Sequence, residues 1–537
     1  MSCITKTLRL AALFVVGICI AVNSHAQTIL FGNISGTWTP SGNPYIIADN
    51  ATVPSGQTLT ITPGVIVWIG SGVSITVNGG IQAVGTSADH ITFQPPINTQ
   101  YWNTLSVNNG GANSFTFCDF ENANTALNFA SSSSSQINYC TFNNSINGIF
   151  CTSGSNQVNY CTFNNISNTA VMIINGSWNN VLFSTFQSVS NAIEMVAQPT
   201  TLPGWNIPTS VTLNADIENC VLSNCSGIAI SGFASGWAGS YMGSPPYTAD
   251  GTINSQIENC SFGSVANGCS FNINSSYYNN GNVYGYAQGN LQIQDNLFNG
   301  VSNAAISLTT GSLVGSSTAT LINNIIINAS NGVVFQDPWD AKMEDSILMG
   351  CTNAVQVNGS LSRYVEYNDF YGNAMNFIGY PSTYGTIILV NRNGTPCDLL
   401  YNIFSDPKFV AANNFTLQTN SPCIDAGTSD ATYLDTSFPP SQGTGLPDLG
   451  IYGGPLAVNW LAVIPIPPAP ITLSATPALQ LTCHNIVATG SYQIQESPDL
   501  TNWNDYGLPF YMTATSNLVQ YVDATNNAGF FRLKSLP

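Results

Sequence analysis

A repeat of about 22 residues runs through the middle of this chain and limits it to a narrow set of folds. Ile137-Asn138-Tyr139-Cys140-Thr141-Phe142 returns as Val158-Asn159-Tyr160-Cys161-Thr162-Phe163, and again as Ile217-Glu218-Asn219-Cys220 and Ile257-Glu258-Asn259-Cys260-Ser261-Phe262. An apolar anchor recurs at Phe120, Phe142, Phe163, Phe186, Leu222, Phe262, Phe298, Ile326, Leu348, Phe370 and Phe404, with several intervals of 21 to 23 residues. About five residues after most anchors comes a second signal, as in Asn147-Gly148-Ile149, Asn191-Ala192-Ile193, Asn331-Gly332-Val333 and Asn353-Ala354-Val355. Each unit reads as a short strand, an Asn/Gly bend and a second short strand. A fixed period of this length marks a solenoid, whose repeats bury apolar residues against their neighbours.

A leucine-rich repeat has a similar period, but it needs Leu at fixed positions and often helix formers on its convex side. These repeats carry Ile, Val, Phe, Asn, Ser and Gly, which favour strands and turns. The expectation is an all-β chain whose body is a right-handed parallel β-helix (a solenoid), its coils stacked about 4.8 Å apart.

Cys118, Cys140, Cys161, Cys220 and Cys260 occupy one column of the repeat, interrupted by Ser184 and continued by Asn296, Asn324, Ser346, Asn368 and Asn402. A position that accepts Cys, Ser and Asn in turn is a tight bend with small side chains stacked in a ladder. Parallel side chains are poorly set for the disulfide dihedral. Cys397 and Cys423, near the end of the repeats, are the best candidates for a bonded pair.

The flanks divide the chain further. Lys6 and Arg9, the apolar run Leu10–Val22 and Ser24-His25-Ala26 read as a secretory signal peptide over 1–26, which implies secretion or display at the cell surface. The β-helix is expected over 27–460 with capping segments at both ends, followed by a Pro-rich linker over 461–470. Residues 471–537 alternate as short strands and read as a small β-sandwich-like domain. No later segment is apolar for long enough to cross a membrane as a helix.

Two runs of motifs carry a resemblance. Gly36-Thr37-Trp38, Pro44-Tyr45, Val53-Pro54-Ser55-Gly56, Pro63-Gly64-Val65 and Ile91-Thr92-Phe93 are similar to the first coils of secreted parallel β-helix proteins. Asp406-Pro407-Lys408-Phe409, Ser421-Pro422-Cys423-Ile424-Asp425-Ala426-Gly427 and Asp448-Leu449-Gly450 are similar to their last turn and cap. Residues 28–455 thus resemble the pectin-lyase-like superfamily, of the secreted bacterial type. The resemblance implies a fold and leaves the activity open, because one scaffold hosts many chemistries.

Charge narrows the chemistry. The chain has 8 Lys+Arg against 26 Asp+Glu, and no Lys or Arg occurs between Gln27 and Ala341. Such a surface repels phosphate backbones, which excludes nucleic acid, and it disfavours a polyuronate unless a cation bridges it. His90 and His484 are the histidines beyond the leader, and there is no C-x-x-C, so neither a zinc site nor a Ser-His-Asp set is expected. The Gly-His-Gly element of polygalacturonases is absent, and a lyase would have to use Lys342, Arg363 or Arg392.

Two features remain. Glu218 and Glu258 share a repeat column two positions before the bend and should lie side by side on adjacent coils, beginning the strands that follow two long loops. Paired carboxylates serve glycoside hydrolysis, and the same pair suits a calcium ion. Glu344 and Glu366 stack likewise, but with Lys342 and Arg363 nearby they read as surface ion pairs. The intervals 186→222, 222→262 and 262→298 are 36, 40 and 36 residues, which places loops near 197–212, 232–253 and 274–290. These loops carry Trp205, Phe233, Trp237, Tyr241, Tyr247, Tyr277, Tyr278, Tyr284 and Tyr286, rings able to stack on sugars. The expectation is an exported protein that binds a neutral polysaccharide without cleaving it. The alternative is a polysaccharide hydrolase at Glu218 and Glu258, or a lyase near Lys342 and Arg363.

Overall fold

The computed structural model describes residues 28–460, except 109–111, 131–133, 153, 177–178, 202–207, 240–246, 279–282, 312–316, 337–338 and 360–362. It also describes 478–536, except 487–489, 498–500, 503, 513–515 and 524–529. The chain divides into two compact units, Met1–Ile464 and Pro465–Pro537. The leader and linker expected at 1–26 and 461–470 lie outside the described residues.

The first unit is a parallel β-helix. A 13-stranded parallel sheet forms one wall, and a 26-stranded sheet bends around a corner to form the other two. One coil shows the plan: Ser155–Asn159 lies in the first wall, Thr162–Asn164 in the second and Thr169–Ile174 in the third. The anchors pair in register, Phe120 with Phe142, Phe142 with Phe163 and Phe163 with Phe186. The column continues through Leu222, Phe262, Phe298, Ile326, Leu348 and Phe370. Inside the helix their rings stack, with centroids 4.9 Å apart for Phe120–Phe142 and 4.7 Å for Phe142–Phe163. The coil spacing equals the preferred spacing of parallel rings, so one geometry satisfies both hydrogen bonding and packing.

Each coil has three strands rather than the two read from the sequence. The run Ile137–Phe142 is broken at Tyr139, whose φ of 54° is left-handed, and Tyr160, Asn219 and Asn259 do the same at 54°, 55° and 53°. In five coils the turning residue is Asn219, Asn259, Asp295, Asn323 or Asp345, types that tolerate this conformation. In others it is Phe117, Tyr139, Tyr160, Phe183, Tyr367 or Tyr401. A bulky residue there costs about 1–2 kcal/mol. The rings offset this by stacking outside the helix, Phe117–Tyr139 at 4.9 Å, Tyr139–Tyr160 at 4.8 Å and Tyr160–Phe183 at 4.9 Å. Each such pair contributes about 0.5–1.5 kcal/mol.

The next residue at this corner points inward and is the Cys/Ser/Asn column. Cys140 Sγ donates to the carbonyls of Asn138 (3.4 Å) and Phe115 (3.5 Å), and Cys161 Sγ to those of Asn159 (3.4 Å) and Ile137 (3.5 Å). Asn324 Nδ2 donates to the equivalent pair, Ile322 (3.0 Å) and Ile293 (2.8 Å). Its Oδ1 also accepts from Asn296 N at 3.1 Å. Cys, Ser and Asn interchange because each brings a further donor to the carbonyls at the turn, which also accept backbone amides such as Phe117 N on Asn138 O.

The eleven described cysteines of this unit are free and buried. That includes Cys397 and Cys423, so the bond considered between them is not formed. Cys423 Sγ instead donates to Asp369 Oδ2 at 3.3 Å. Burial raises the Cys151 and Cys225 thiols to about 12.

Beyond Phe370 the chain folds back along the outside of the second wall. Ile325 and Ile327, which flank the inward Ile326, are buried against Phe415, Leu417, Leu449, Ile451 and Trp460. A strand apolar on both faces is the expected signature of two-sided burial. Lys342 Nζ pairs with Glu344 at 2.8 Å, but Glu344 is only 3% exposed, so this is a sheltered pair rather than the surface pair expected.

The second unit is antiparallel. Ala478–Ile486 pairs with Ser516–Asp523, and Gly490–Ser497 lies between Asn504–Met512 and Phe530–Leu536. Arg532 Nε and an Nη both donate to Gln495 Oε1, at 2.9 and 2.7 Å.

Asn324→Ala should lower stability by about 3 kcal/mol, because it strips donors from buried carbonyls. Asn324→Ser, which keeps a donor, should cost about 1 kcal/mol, and chemical unfolding of both variants checks the order. Because thiolate is the reactive form, iodoacetamide should leave the eleven cysteines of the β-helix unmodified in native protein and alkylate them in denaturant, read by peptide mass spectrometry.

Candidate functional site

The first wall widens in the middle of the solenoid. Val211–Glu218, Gly251–Glu258 and Ala287–Gln294 each have eight residues, against four in Asn179–Leu182. The three long repeats divide their extra length between these strands, lengthened strands in the third wall, and one hairpin per coil. The hairpins pair Thr200–Thr201 with Pro208–Thr209, Trp237–Gly239 with Tyr247–Ala249, and Ser276–Tyr278 with Val283–Gly285. Phe233, expected in a loop, belongs to the strand Ile228–Ser235 and pairs with Asn272.

Neighbouring hairpins touch backbone to backbone. A Cβ on Gly285 would sit 2.1 Å from the Trp237 carbonyl oxygen, and one on Gly236 would sit 2.1 Å from that of Gly285. Asp250 ties the bases together: its N donates to Ser210 Oγ at 2.9 Å and its Oδ1 accepts from Tyr286 N at 2.8 Å. The hairpins therefore project side by side, as the spacing of the long repeats implied. Trp205 and Tyr241 lie outside the described residues. Trp237, Tyr247, Tyr278 and Tyr284 are half-buried, while Tyr277 and Tyr286 are 38% and 46% exposed. Tyr284 lies 4.8 Å from Tyr277 and 6.0 Å from Tyr286, which makes a tyrosine cluster on the third hairpin.

Glu218 and Glu258 are register partners, and Glu258 is followed on the next coil by Gln294. Adjacent parallel strands place them roughly 4.8 Å apart at the backbone. They end their strands instead of beginning them, because each eight-residue strand starts at the hairpin and finishes at the corner. Seven residue steps separate Val211 from Glu218, about 23 Å of extended chain. The hairpin tyrosines and the carboxylates therefore stand at opposite edges of the same wall and do not converge.

The outward face between them is polar and ordered. Asn254 Nδ2 donates to Asn214 Oδ1 and Asn290 Nδ2 to Asn254 Oδ1, both at 2.8 Å. Beside this amide ladder run Asp216, Gln256 and Gln292, with Gln256 Nε2 3.5 Å from Gln292 Oε1. These residues line a shallow groove of about 300 Å³. Asp216 was missed in the sequence, although its place two residues before Glu218 puts it on the same face by strand alternation.

The three acids form a graded set. Burial raises Asp216, and burial followed by the Asp216 charge raises Glu218. Glu258 is pushed up to about 7, by burial first and then by Glu218 and Asp216. A carboxyl that holds its proton near neutrality beside one that has lost it can donate a proton across the pair. Two of the candidate lyase cations are engaged elsewhere: Lys342 pairs with Glu344, and an Arg392 Nη donates to the Gly427 carbonyl at 2.5 Å, while the Arg363 side chain lies outside the described residues. Among the described residues no three His, Cys, Asp or Glu side chains gather as a metal-ion site.

No family model matches the chain, and no curated protein matches it. Among solved structures it is similar to the tailspike protein of E. coli bacteriophage HK620 in complex with pentasaccharide, at 11% identity and a TM-score of 0.28. That alignment covers 91% of this chain and 86% of the tailspike chain. No helix among the described residues is long and apolar enough to cross a membrane.

A carboxyl held above its ordinary value favours the fold while protonated. Glu258 should therefore contribute stability fully below its ordinary value of 4.5 and lose that contribution as pH rises through about 7. The melting temperature should fall between about pH 5 and about pH 8, and Glu258→Gln should make that fall shallower.

Proposed function

We propose that this chain is an exported protein that binds an extended, neutral polysaccharide along the outward face of the first wall. One observation carries the reading. Three consecutive eight-residue strands hold a flat array of Asn, Gln and Thr side chains in register, with a groove along it. Amides and hydroxyls offer donors and acceptors at each coil, and they match sugar hydroxyls without demanding charge. The tyrosines Tyr277, Tyr284 and Tyr286 at one edge supply apolar faces for pyranose rings. The lack of Lys and Arg between Gln27 and Ala341 argues against a polyanion. Export rests on the leader read over 1–26, and the likeness to pectin-lyase-like proteins on the motifs of the first and last coils.

A second reading has its own support. Glu258, raised to about 7 beside Glu218, is suited to act as general acid in glycoside hydrolysis, with Glu218 or Asp216 as its partner carboxylate.

Incubating the purified chain with a panel of neutral and acidic polysaccharides separates the two. Binding alone should appear as retention on one neutral insoluble glycan, weakened on the order of tenfold by Asn254→Ala or Tyr284→Ala. Hydrolysis should appear as new reducing ends, lost in Glu258→Gln. Retention on acidic glycans alone, or on none, would sink the neutral-glycan reading.

A further inference from the structure

The second wall finishes, at each end of the solenoid, in a strand with an open edge. At its start Thr28–Leu30 pairs in parallel with Tyr45–Ile47, and the register slips between Leu30 and Gly32. The regular stretch is therefore Thr28–Phe31, and Tyr45–Val53 is the one strand among the described residues that pairs with it. At the other end the wall runs past Asp369–Tyr371 to Ile403, which bridges Asp369 in parallel and Cys397 antiparallel. Leu389–Val390 then pairs antiparallel with Pro396–Cys397. Two reversals restore the direction, so Leu389–Val390 runs the same way as the strands of the wall. Backbone bonds secure these last steps: Phe370 N donates to Ile403 O at 3.0 Å and Ile388 N to Cys397 O at 3.1 Å. No further strand among the described residues takes the outer edge of Leu389–Val390.

Both edges are apolar and uncharged. Phe31 and Val390 are 71% and 62% exposed, the most exposed large apolar side chains among the described residues. Ile29, Ile387 and Ile388 are each more than half exposed. Solvated edge strands are ordinarily blunted by Lys, Pro or an inward charge, and neither Thr28–Phe31 nor Ile387–Val390 has one. A run of consecutive exposed apolar residues marks a surface that meets a partner. Charge indicates which partner. The chain has a formal net charge of -18, so two copies repel over most of their surface. Yet no Asp, Glu, Lys or Arg occurs from Thr28 to Ala48 or from Phe370 to Asn391. At these two ends copies of the chain meet without opposing charges.

We propose that a second copy of this chain seats its Thr28–Phe31 against Ile387–Val390 of the first, so that the second wall continues from one solenoid into the next. The added strand lies parallel, about 4.8 Å beyond Leu389–Val390, at the spacing of the coils themselves. Main-chain bonds supply affinity, and the exposed side chains leave water on both faces of the seam. The two surfaces differ, so a pair of copies still has one free edge of each kind. The assembly is an open, head-to-tail row.

The experiment is analytical ultracentrifugation of the purified chain, with both compact units present, over a range of concentrations. Masses of two and more copies should appear and grow with concentration. Phe31→Lys and Val390→Lys should each leave only monomer, because either would bury a charge in the seam. Mixed together, the two variants should form a dimer of one copy of each and go no further, since each retains the edge that the other lacks. That rescue also shows that both variants fold. No association on mixing would overturn the proposal. Assembly that survives in Val390→Lys alone would mean that the starting edges pair with each other, and survival in Phe31→Lys alone that the finishing edges do. Either result overturns the head-to-tail placement. A chain that is monomeric at every concentration sinks the idea, as does a monomer that cosediments with phosphatidylcholine vesicles, because lipid is then what the apolar edges meet. Glycan retention is read separately and can succeed or fail with either outcome.

Discussion

From Phe117 onward the coils of this solenoid turn on the same corner: a left-handed residue followed by an inward side chain that donates to one or two carbonyls. The left-handed residue redirects the strand and brings the next side chain beneath a carbonyl of its own coil and, where that side chain is Cys140 or Asn324, one of the coil before. Backbone amides already bond carbonyls at these corners, as Phe117 N does Asn138 O and Asp295 N does Ile322 O, and the side chain adds a second donor beside an apolar core. Cys140 and Asn324 answer the same need with a thiol and an amide. The side chains differ in donor strength, but they share small size and reach. The repeat therefore tolerates Cys, Ser and Asn at this point while the neighbouring aromatic or aliphatic anchor holds the register.

Because the corner is local, the rest of a coil is free to vary. A strand can lengthen from four residues to eight without disturbing the turn at its end, and a hairpin can leave the opposite end without entering the core. Three coils do this together, and the lateral contacts of Gly236 and Gly285 with their neighbours show why they must. A single widened coil would expose unpaired strand edges on both sides. Three in succession pair with one another and yield a broad polar face bounded by tyrosines and carboxylates.

The scarcity of cations shapes the electrostatics. Few basic groups are available to pair with the acids, so buried carboxyls lean on backbone amides and on protons. Asp448 accepts from the amides of Asp425 and Gln442, yet burial still pushes it up to about 7, and Asp435 to about 8. The covering segment is thus held to the wall by apolar contact around Ile325 and Ile327 and by backbone donors more than by ion pairs.

The sequence by itself determined the solenoid, its period and its anchors, because stacking repeats one environment at every coil and selection of residue type at each position becomes visible as a column. It also marked the Cys/Ser/Asn bend, the three long coils and the neighbouring carboxylates Glu218 and Glu258. It hid the third strand of the coil, since Tyr139 and Tyr160 look like strand residues and their left-handed φ leaves no mark in composition. It misplaced Glu218 and Glu258 at the start of their strands, because where an insertion divides into strand and hairpin depends on what the next coil can pair with. Whether aromatics and acids meet, and which acids lie beneath the returning segment, depends on contacts between residues as far apart as Asp295 and Trp460. Such contacts have no period, and only the tertiary structure could decide them.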